Sequence, residues 1–237
     1  MSRPPAARKP TVAEAFASVA DWHKIESYFE VYDRYFGPLL GKPVKMLEIG
    51  VDRGGSIAGW KKYFGERKLD YTGIDIKPDC SRFAREGVKI VIGDQMDVKL
   101  LAEVANAGPY DIIIDDGGHI TGQQIVSFEQ LFVAVRDGGF YVIEDTHTSF
   151  WPSYHSNFTI GSTKIRGGFL DYAPALIRSQ MEFWWPPDSG VRSLRPRETR
   201  PPLDLGLHYK KVFAISFYDS LVVIENRAQP EPLSIVC

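Results

Sequence analysis

Asp111-Ile112-Ile113-Ile114-Asp115-Asp116 and Phe140-Tyr141-Val142-Ile143-Glu144-Asp145 decide the fold. Each begins as a short apolar run of the kind found in strands buried on both faces. Each then runs straight into two acids. A buried carboxylate is costly unless something compensates it. Neighbouring parallel strands lie roughly 5 Å apart, so if these two are neighbours, three or four carboxylates crowd one crevice. A divalent cation bound through oxygen relieves such repulsion. A histidine, His119, follows shortly after Asp116.

Around these runs, strands alternate with helices. Strands are predicted at 44–49, 71–75, 88–92 and 112–115, and Gly138-Gly139 turns the chain into a fifth at 140–143. Helices are predicted at 56–64, stopped by Gly65, and at 97–105 and 121–135, where Ile125, Phe128, Leu131, Phe132 and Val135 face inward. Thr11 and Glu14 have capping-box spacing and open a first helix. Ile25, Phe29, Tyr32 and Phe36 form one face of a second, from about Lys24 to Phe36, as core or dimer contact. Beyond Asp145 the sequence predicts a long loop over 146–168, a helix over 169–182 weakened by Pro174, and no regular element over 186–206. Lys211–Phe217 and Leu221–Glu225 read as a terminal antiparallel hairpin. The fold class is α/β: a doubly wound, mostly parallel seven-stranded sheet, Rossmann-like, closed by that hairpin. One domain is expected over 11–237 behind a disordered tail at 1–10, with helices at 11–40 and acceptor loops at 146–168 and 183–208.

Composition narrows the function classes. The net charge of −2 gives no global attraction to nucleic acid or anionic lipid. No apolar run approaches the roughly 20 residues that span a bilayer. The two cysteines, Cys80 and Cys237, imply no disulfide framework. A cytoplasmic protein is expected.

Glu48-Ile49-Gly50 closes the first strand and Gly54-Gly55-Ser56 opens the next helix. This spacing departs from the Gly-x-Gly-x-x-Gly pyrophosphate fingerprint. At the same level, Glu48 could accept from an ammonium group, Asp75 from a ribose diol, and Asp94 of Gly93-Asp94-Gln95 from an adenine amine. An amine, a ribose and an adenine without phosphate describe S-adenosylmethionine. The cofactor set is therefore Glu48, Gly50, Gly54, Ser56, Asp75, Asp94 and Gln95, with Asp115 behind it.

Leu47-Glu48-Ile49-Gly50-Val51, Gly54-Gly55-Ser56, Gly93-Asp94-Gln95, Asp115-Asp116-Gly117-Gly118-His119, Glu144-Asp145-Thr146-His147 and Phe217-Tyr218-Asp219-Ser220 together resemble the metal-dependent sugar O-methyltransferases. These include the macrolide-sugar methyltransferases and relatives labelled cephalosporin hydroxylases. The resemblance implies Mg²⁺ (or Mn²⁺) held by Asp116, Glu144 and Asp145, with His119 as general base. Members usually carry serine where this chain has Gly118. In size, and in lacking an extra N-terminal domain, the chain is also similar to the 1-O-methyltransferases of methylmannose polysaccharide synthesis. A methylmannose polysaccharide precursor is thus one expected acceptor; the alternative is an antibiotic (macrolide-type) sugar or a glycolipid. His147, Thr148, Trp151 and Tyr154 are expected to meet the sugar, and a homo-oligomer, a dimer for example, is expected.

Two rival classes are weighed. An iron hydroxylase often shows His-x-Asp or His-x-Glu, and none of the five histidines has an acid two residues on. A nicotinamide-dependent sugar enzyme lacks its glycine fingerprint here and its Tyr-x-x-x-Lys.

Overall fold

Val44–Ile49 is buried at almost every position because both of its faces are covered; this is strand β1. In the computed structural model it is followed by helix α3 (Gly55–Phe64), β2 (Leu69–Asp75) and β3 (Val88–Ile92). Two helices precede it, α1 (Val12–Ala17) and α2 (Ser27–Phe36). Next come α4 (Val98–Asn106), β4 (Tyr110–Asp115), α5 (Thr121–Leu131) and β5 (Val135–Ile143). A short hairpin, β6 (Ser156–Ile160) and β7 (Thr163–Gly167), leads to α6 (Phe169–Gln180). The chain closes with β8 (Val212–Tyr218) and β9 (Leu221–Asn226). The structure describes residues 8–160, 163–180 and 211–228.

The main sheet has seven strands in the order β3-β2-β1-β4-β5-β9-β8, and β6 pairs only with β7. The pairs β1–β2, β2–β3 and β4–β5 are parallel, whereas β9 runs antiparallel to both β5 and β8. The expected doubly wound sheet and terminal hairpin are therefore present. Contacts gather into two compact units, Met1–Asp94 and Gln95–Cys237.

In the first unit Trp60, fully buried on α3, is ringed by Phe16, Tyr32, Phe36, Tyr63 and Phe64 at centroid distances of 5.0–6.3 Å. Phe29, Tyr32 and Phe36 of α2 are buried in this cluster, so the aromatic stripe is core. The capping box at Thr11 forms as its spacing predicts. The strand ends lie level: Ile49 pairs with Ile74, and Asp75 with Ile92. In the second unit Asp115 pairs with Ile143, and the Glu144 amide donates to the Asp115 carbonyl at 2.9 Å. The two acidic pairs thus end adjacent parallel strands.

Some expectations give way. Gly138-Gly139 does not turn the chain into a strand. It lies inside β5, where the pairing with β4 jumps from Tyr110–Val135 to Ile112–Phe140. Residues 146–168 are not an open loop but two 3₁₀ turns, Thr146–Phe150 and Pro152–Tyr154, followed by the β6–β7 hairpin. The helix over 121–135 ends at Leu131, and a 3₁₀ turn carries the chain to β5. The whole of 183–208, with its arginine-rich loop, lies outside the described residues, as does the tail at 1–7. Among the described residues no helix is long and apolar enough to cross a membrane.

Trp60→Ala should lower the unfolding free energy by about 3–5 kcal/mol, the usual cost of deleting a buried tryptophan. Urea denaturation followed by circular dichroism measures it.

Candidate active site

The acids at the strand ends fall into two groups. In the first unit Glu48 is fully buried, and its carboxylate is met by four internal donors. Ser56 Oγ and Tyr71 Oη donate to Oε2 at 2.7 and 2.5 Å. Lys24 Nζ and Trp60 Nε1 donate to Oε1 at 3.3 and 3.4 Å. The Lys24 side chain is itself only 1% exposed. An ammonium does reach Glu48, as its type suggests, but it is supplied by the chain's own lysine. The Ser56 hydroxyl is spent in the same place.

Asp75, at the end of β2, takes the Val51 and Asp52 amides on Oδ2 and the Lys77 amide on Oδ1, all at 2.8 Å. These bonds fix the glycine loop after β1. Gly50 and Gly54 both have positive φ (92° and 79°), and a Cβ at Gly54 would lie 2.7 Å from the Phe83 ring. No other residue type satisfies both demands there. Burial alone would raise the Asp75 pKa, but the Asp52, Lys77 and Val51 amides and the Cys80 thiol hold it below the ordinary carboxylate value. Burial meanwhile pushes the Cys80 thiol up to about 11, so it is not a reactive thiolate at neutral pH. Ile76 follows Asp75 and is 63% exposed. Sequence reasoning passed over it, although an apolar residue directly after a strand-end acid is the signal that marks it. Asp94, at the end of β3, is exposed.

In the second unit Gln95 is buried and binds on both sides. Its amide nitrogen donates to Asp115 Oδ1 and Ser127 Oγ at 3.2 and 3.1 Å, and its oxygen accepts from the Gly118 amide at 2.9 Å. Asp115 Oδ1 also accepts from the Gly117 amide at 3.3 Å, while Oδ2 is buried with no hydrogen bond. Burial raises the Asp115 pKa to about 6, against the pull of Gly117 and of His119. Gln95 and Asp115 therefore hold the loop after β4.

That loop presents Asp116 and His119. With Asp145 they form a group whose potential ligand atoms all lie within 4.8 Å of one another, each residue partly exposed. His119 Nε2 lies 3.5 Å from Asp145 Oδ2, and its buried Nδ1 has no hydrogen-bond partner. Glu144, expected in the cation set, is 1% exposed and not part of this group. Both His119 (φ 57°) and Asp145 (φ 54°) sit in the left-handed region, where non-glycine residues are uncommon and cluster at functional sites. Gly118 replaces the serine of the family pattern, and a Cβ there would run into the Gln123 carboxamide. Gln123 thus fills the place of the missing side chain.

The expected acceptor residues separate. Thr148 is buried, and its hydroxyl is taken up by two backbone carbonyls. His147 Nδ1 makes a short hydrogen bond with Ser220 Oγ, in the β8–β9 turn. The His147 ring meets Trp151 edge-on at 4.7 Å, and Trp151 meets Tyr154 at 5.6 Å. Phe150 and Trp151 are 74% and 47% exposed. His147, Trp151 and Tyr154 thus form a chain of ring contacts beginning two residues from Asp145.

The level strand ends, the glycine turn and the acids define a class I methyltransferase fold. Comparison with known proteins makes this narrower. No family model matches the chain. It is 35% identical over 212 residues to the 8-demethyl-8-alpha-L-rhamnosyl tetracenomycin-C 2'-O-methyltransferase of Streptomyces olivaceus, covering 86% of this chain and 51% of that protein. It is 34% identical over 218 residues to the demethylmacrocin O-methyltransferase of Streptomyces fradiae, covering 89% and 51%. Among solved structures it resembles the MycE methyltransferase of the mycinamycin biosynthetic pathway, in complex with Mg and SAH. The TM-score is 0.74 at 28% identity, over 93% of this chain and 55% of that one. The homologues of this chain are sugar O-methyltransferases of antibiotic pathways. The chain spans about half the length of the curated relatives it matches.

Two outcomes follow for the first unit. Glu48→Ala removes the buried carboxylate to which Lys24, Ser56, Tyr71 and Trp60 donate, and should cost about 3–5 kcal/mol of stability in urea denaturation. Asp75→Asn removes a carboxylate whose folded pKa is depressed. Its stabilisation is complete above the unfolded-state value and disappears as pH falls through the folded one. The variant should be about 1–3 kcal/mol less stable at pH 7, and the gap should close on acidification below pH ~4. Urea midpoints measured across this pH range test both the size and the direction.

Proposed function

We propose that this chain transfers a methyl group from S-adenosylmethionine to a hydroxyl of a sugar, with a divalent cation at Asp116 and Asp145 and His119 as general base. The convergence of Asp116, His119 and Asp145 within 4.8 Å carries the reading. Two carboxylates suit a hard, oxygen-seeking ion such as Mg²⁺ or Mn²⁺, and Glu144, beside Asp145 in the chain, is the third acid the family motif supplies. Such an ion, when bound, supplies positive charge against an acceptor oxygen that is losing its proton.

An alcohol is a poor nucleophile at neutral pH. His119 takes the hydroxyl proton as the oxygen attacks the sulfonium methyl in line, and the thioether leaves. The unpartnered Nδ1 and the proximity of Nε2 to Asp145 leave the imidazole able to accept and hold that proton. Donor binding falls to the first unit. Asp75 keeps acceptor capacity on Oδ1 for a ribose hydroxyl, Ile76 offers an apolar face to the adenine, and Asp94, exposed at the end of β3, accepts from its amine. Gly50 and Gly54 let the backbone approach the donor. Glu48 and Ser56 support this wall from within.

The acceptor is a sugar borne on an antibiotic-type aglycone. The named substrates of the relatives, rhamnosyl tetracenomycin and mycinamicin VI among them, favour this over a methylmannose polysaccharide precursor. The exposed Trp151 and Phe150, with His147 and Tyr154, offer the apolar and hydrogen-bonding surface such an acceptor needs.

With a deoxysugar-bearing macrolide as acceptor, His119→Ala should reduce turnover about 10²–10⁴-fold while donor affinity stays near that of the parent. Turnover is read by mass spectrometry and donor affinity by calorimetry. Unchanged turnover removes the base assignment. Activity should vanish in excess chelator and return with Mg²⁺. A screen in which only free oligomannosides are methylated assigns the acceptor to the polysaccharide class instead.

A further inference from the structure

We infer that Thr148 is the positioning residue of the cation group, locking His119 and Asp145 into one geometry. This rests on the proposed cation site. Thr148 is 3% exposed, and its hydroxyl lies 3.0 Å from the His119 carbonyl oxygen and 2.9 Å from that of Asp145. A hydroxyl has one proton, which is here shared between two carbonyls belonging to two members of the group. The Thr148 amide also donates to the Asp145 carbonyl at 3.0 Å, closing the 3₁₀ turn that begins at Thr146.

The two residues it joins are the ones whose backbone needs help. His119 and Asp145 both have left-handed φ, a conformation that persists in non-glycine residues only where the surroundings impose it. They come from different parts of the chain: His119 from the loop between β4 and α5, Asp145 from the turn after β5. Their side chains approach at 3.5 Å only while both backbones hold. The loop's earlier residues are fixed from the other side, since Gly117 and Gly118 bond to Asp115 and Gln95. Thr148 supplies the tie at the histidine itself. The β-methyl of threonine restricts the hydroxyl to few rotamers, which makes it a firmer clip than a longer polar side chain.

The test uses the full chain without added donor and titrates Mn²⁺, read by calorimetry and by the electron-spin signal of the free ion. Thr148→Val keeps the shape and loses the hydroxyl, and should weaken Mn²⁺ binding about 10–100-fold, as loss of ligand-orienting bonds generally does. Thr148→Ser restores the hydroxyl and should bind within about 3-fold of the parent. Thr148→Ala loses the hydroxyl without bulk and takes the place of the valine variant should that one not fold. Urea midpoints establish that each variant is folded at the titration temperature. Parent-like Mn²⁺ affinity in a folded hydroxyl-free variant overturns the inference and leaves the cation site standing. Equal weakening in the serine variant overturns it too. If the parent itself binds no Mn²⁺, the cation reading falls and this role with it.

Discussion

A carboxylate taken out of water has to be surrounded by donors or by opposite charge, and this constraint sorts every acid at the strand ends. Glu48 is met by a lysine, a serine, a tyrosine and a tryptophan. Asp75 is met by three backbone amides, and Asp115 by a glutamine and a glycine amide. Each of these acids is braced by donors of the protein itself. Asp116 and Asp145, partly exposed, group with His119. Buried acids brace the loops; the partly exposed acids do the proposed chemistry on those loops.

Much of this was legible in the sequence, for a definite reason. Runs such as Val44–Ile49 and Tyr110–Asp115 are buried strands whose limits are set by composition. The acids stand out because they follow those runs immediately. What could not be read was the identity of their partners. Lys24 lies 24 residues from Glu48, and Tyr71 lies 23; only the folded chain shows that Glu48 is already occupied. Gln95 and Thr148 had the same ambiguity, since a polar side chain at a site looks alike whether it faces a ligand or a carbonyl. The β6–β7 hairpin escaped notice because its alternation is short, with Phe158, Ile160 and Ile165 set among serines, threonines and glycines. Gly138-Gly139 marked an irregularity inside β5 rather than a turn, and sequence alone does not separate the two.

The family pattern bears on the loop after β4. Where the motif resemblance expects a serine this chain has Gly118, and a Cβ there would meet Gln123 from the first turn of α5. The change leaves Asp116 and His119 in their group. The aromatic surface at Phe150, Trp151 and Tyr154 belongs to the turns just beyond Asp145. Surface turns of this kind can vary while the sheet stays constant, which suits a fold whose homologues act on different sugars.

Ser220 accepts the Thr146 amide through its carbonyl and holds His147 through its hydroxyl. It sits in the two-residue turn joining the last two strands, and β9 inserts between β5 and β8. On the ribosome the acidic pair at 144–145 emerges some seventy residues before its brace does. The nascent chain must wait, with that edge of β5 unpaired, until translation has passed Asn226. Vectorial synthesis therefore completes this site only after β9 has been made, and the interval is when a chaperone has most reason to attend the chain.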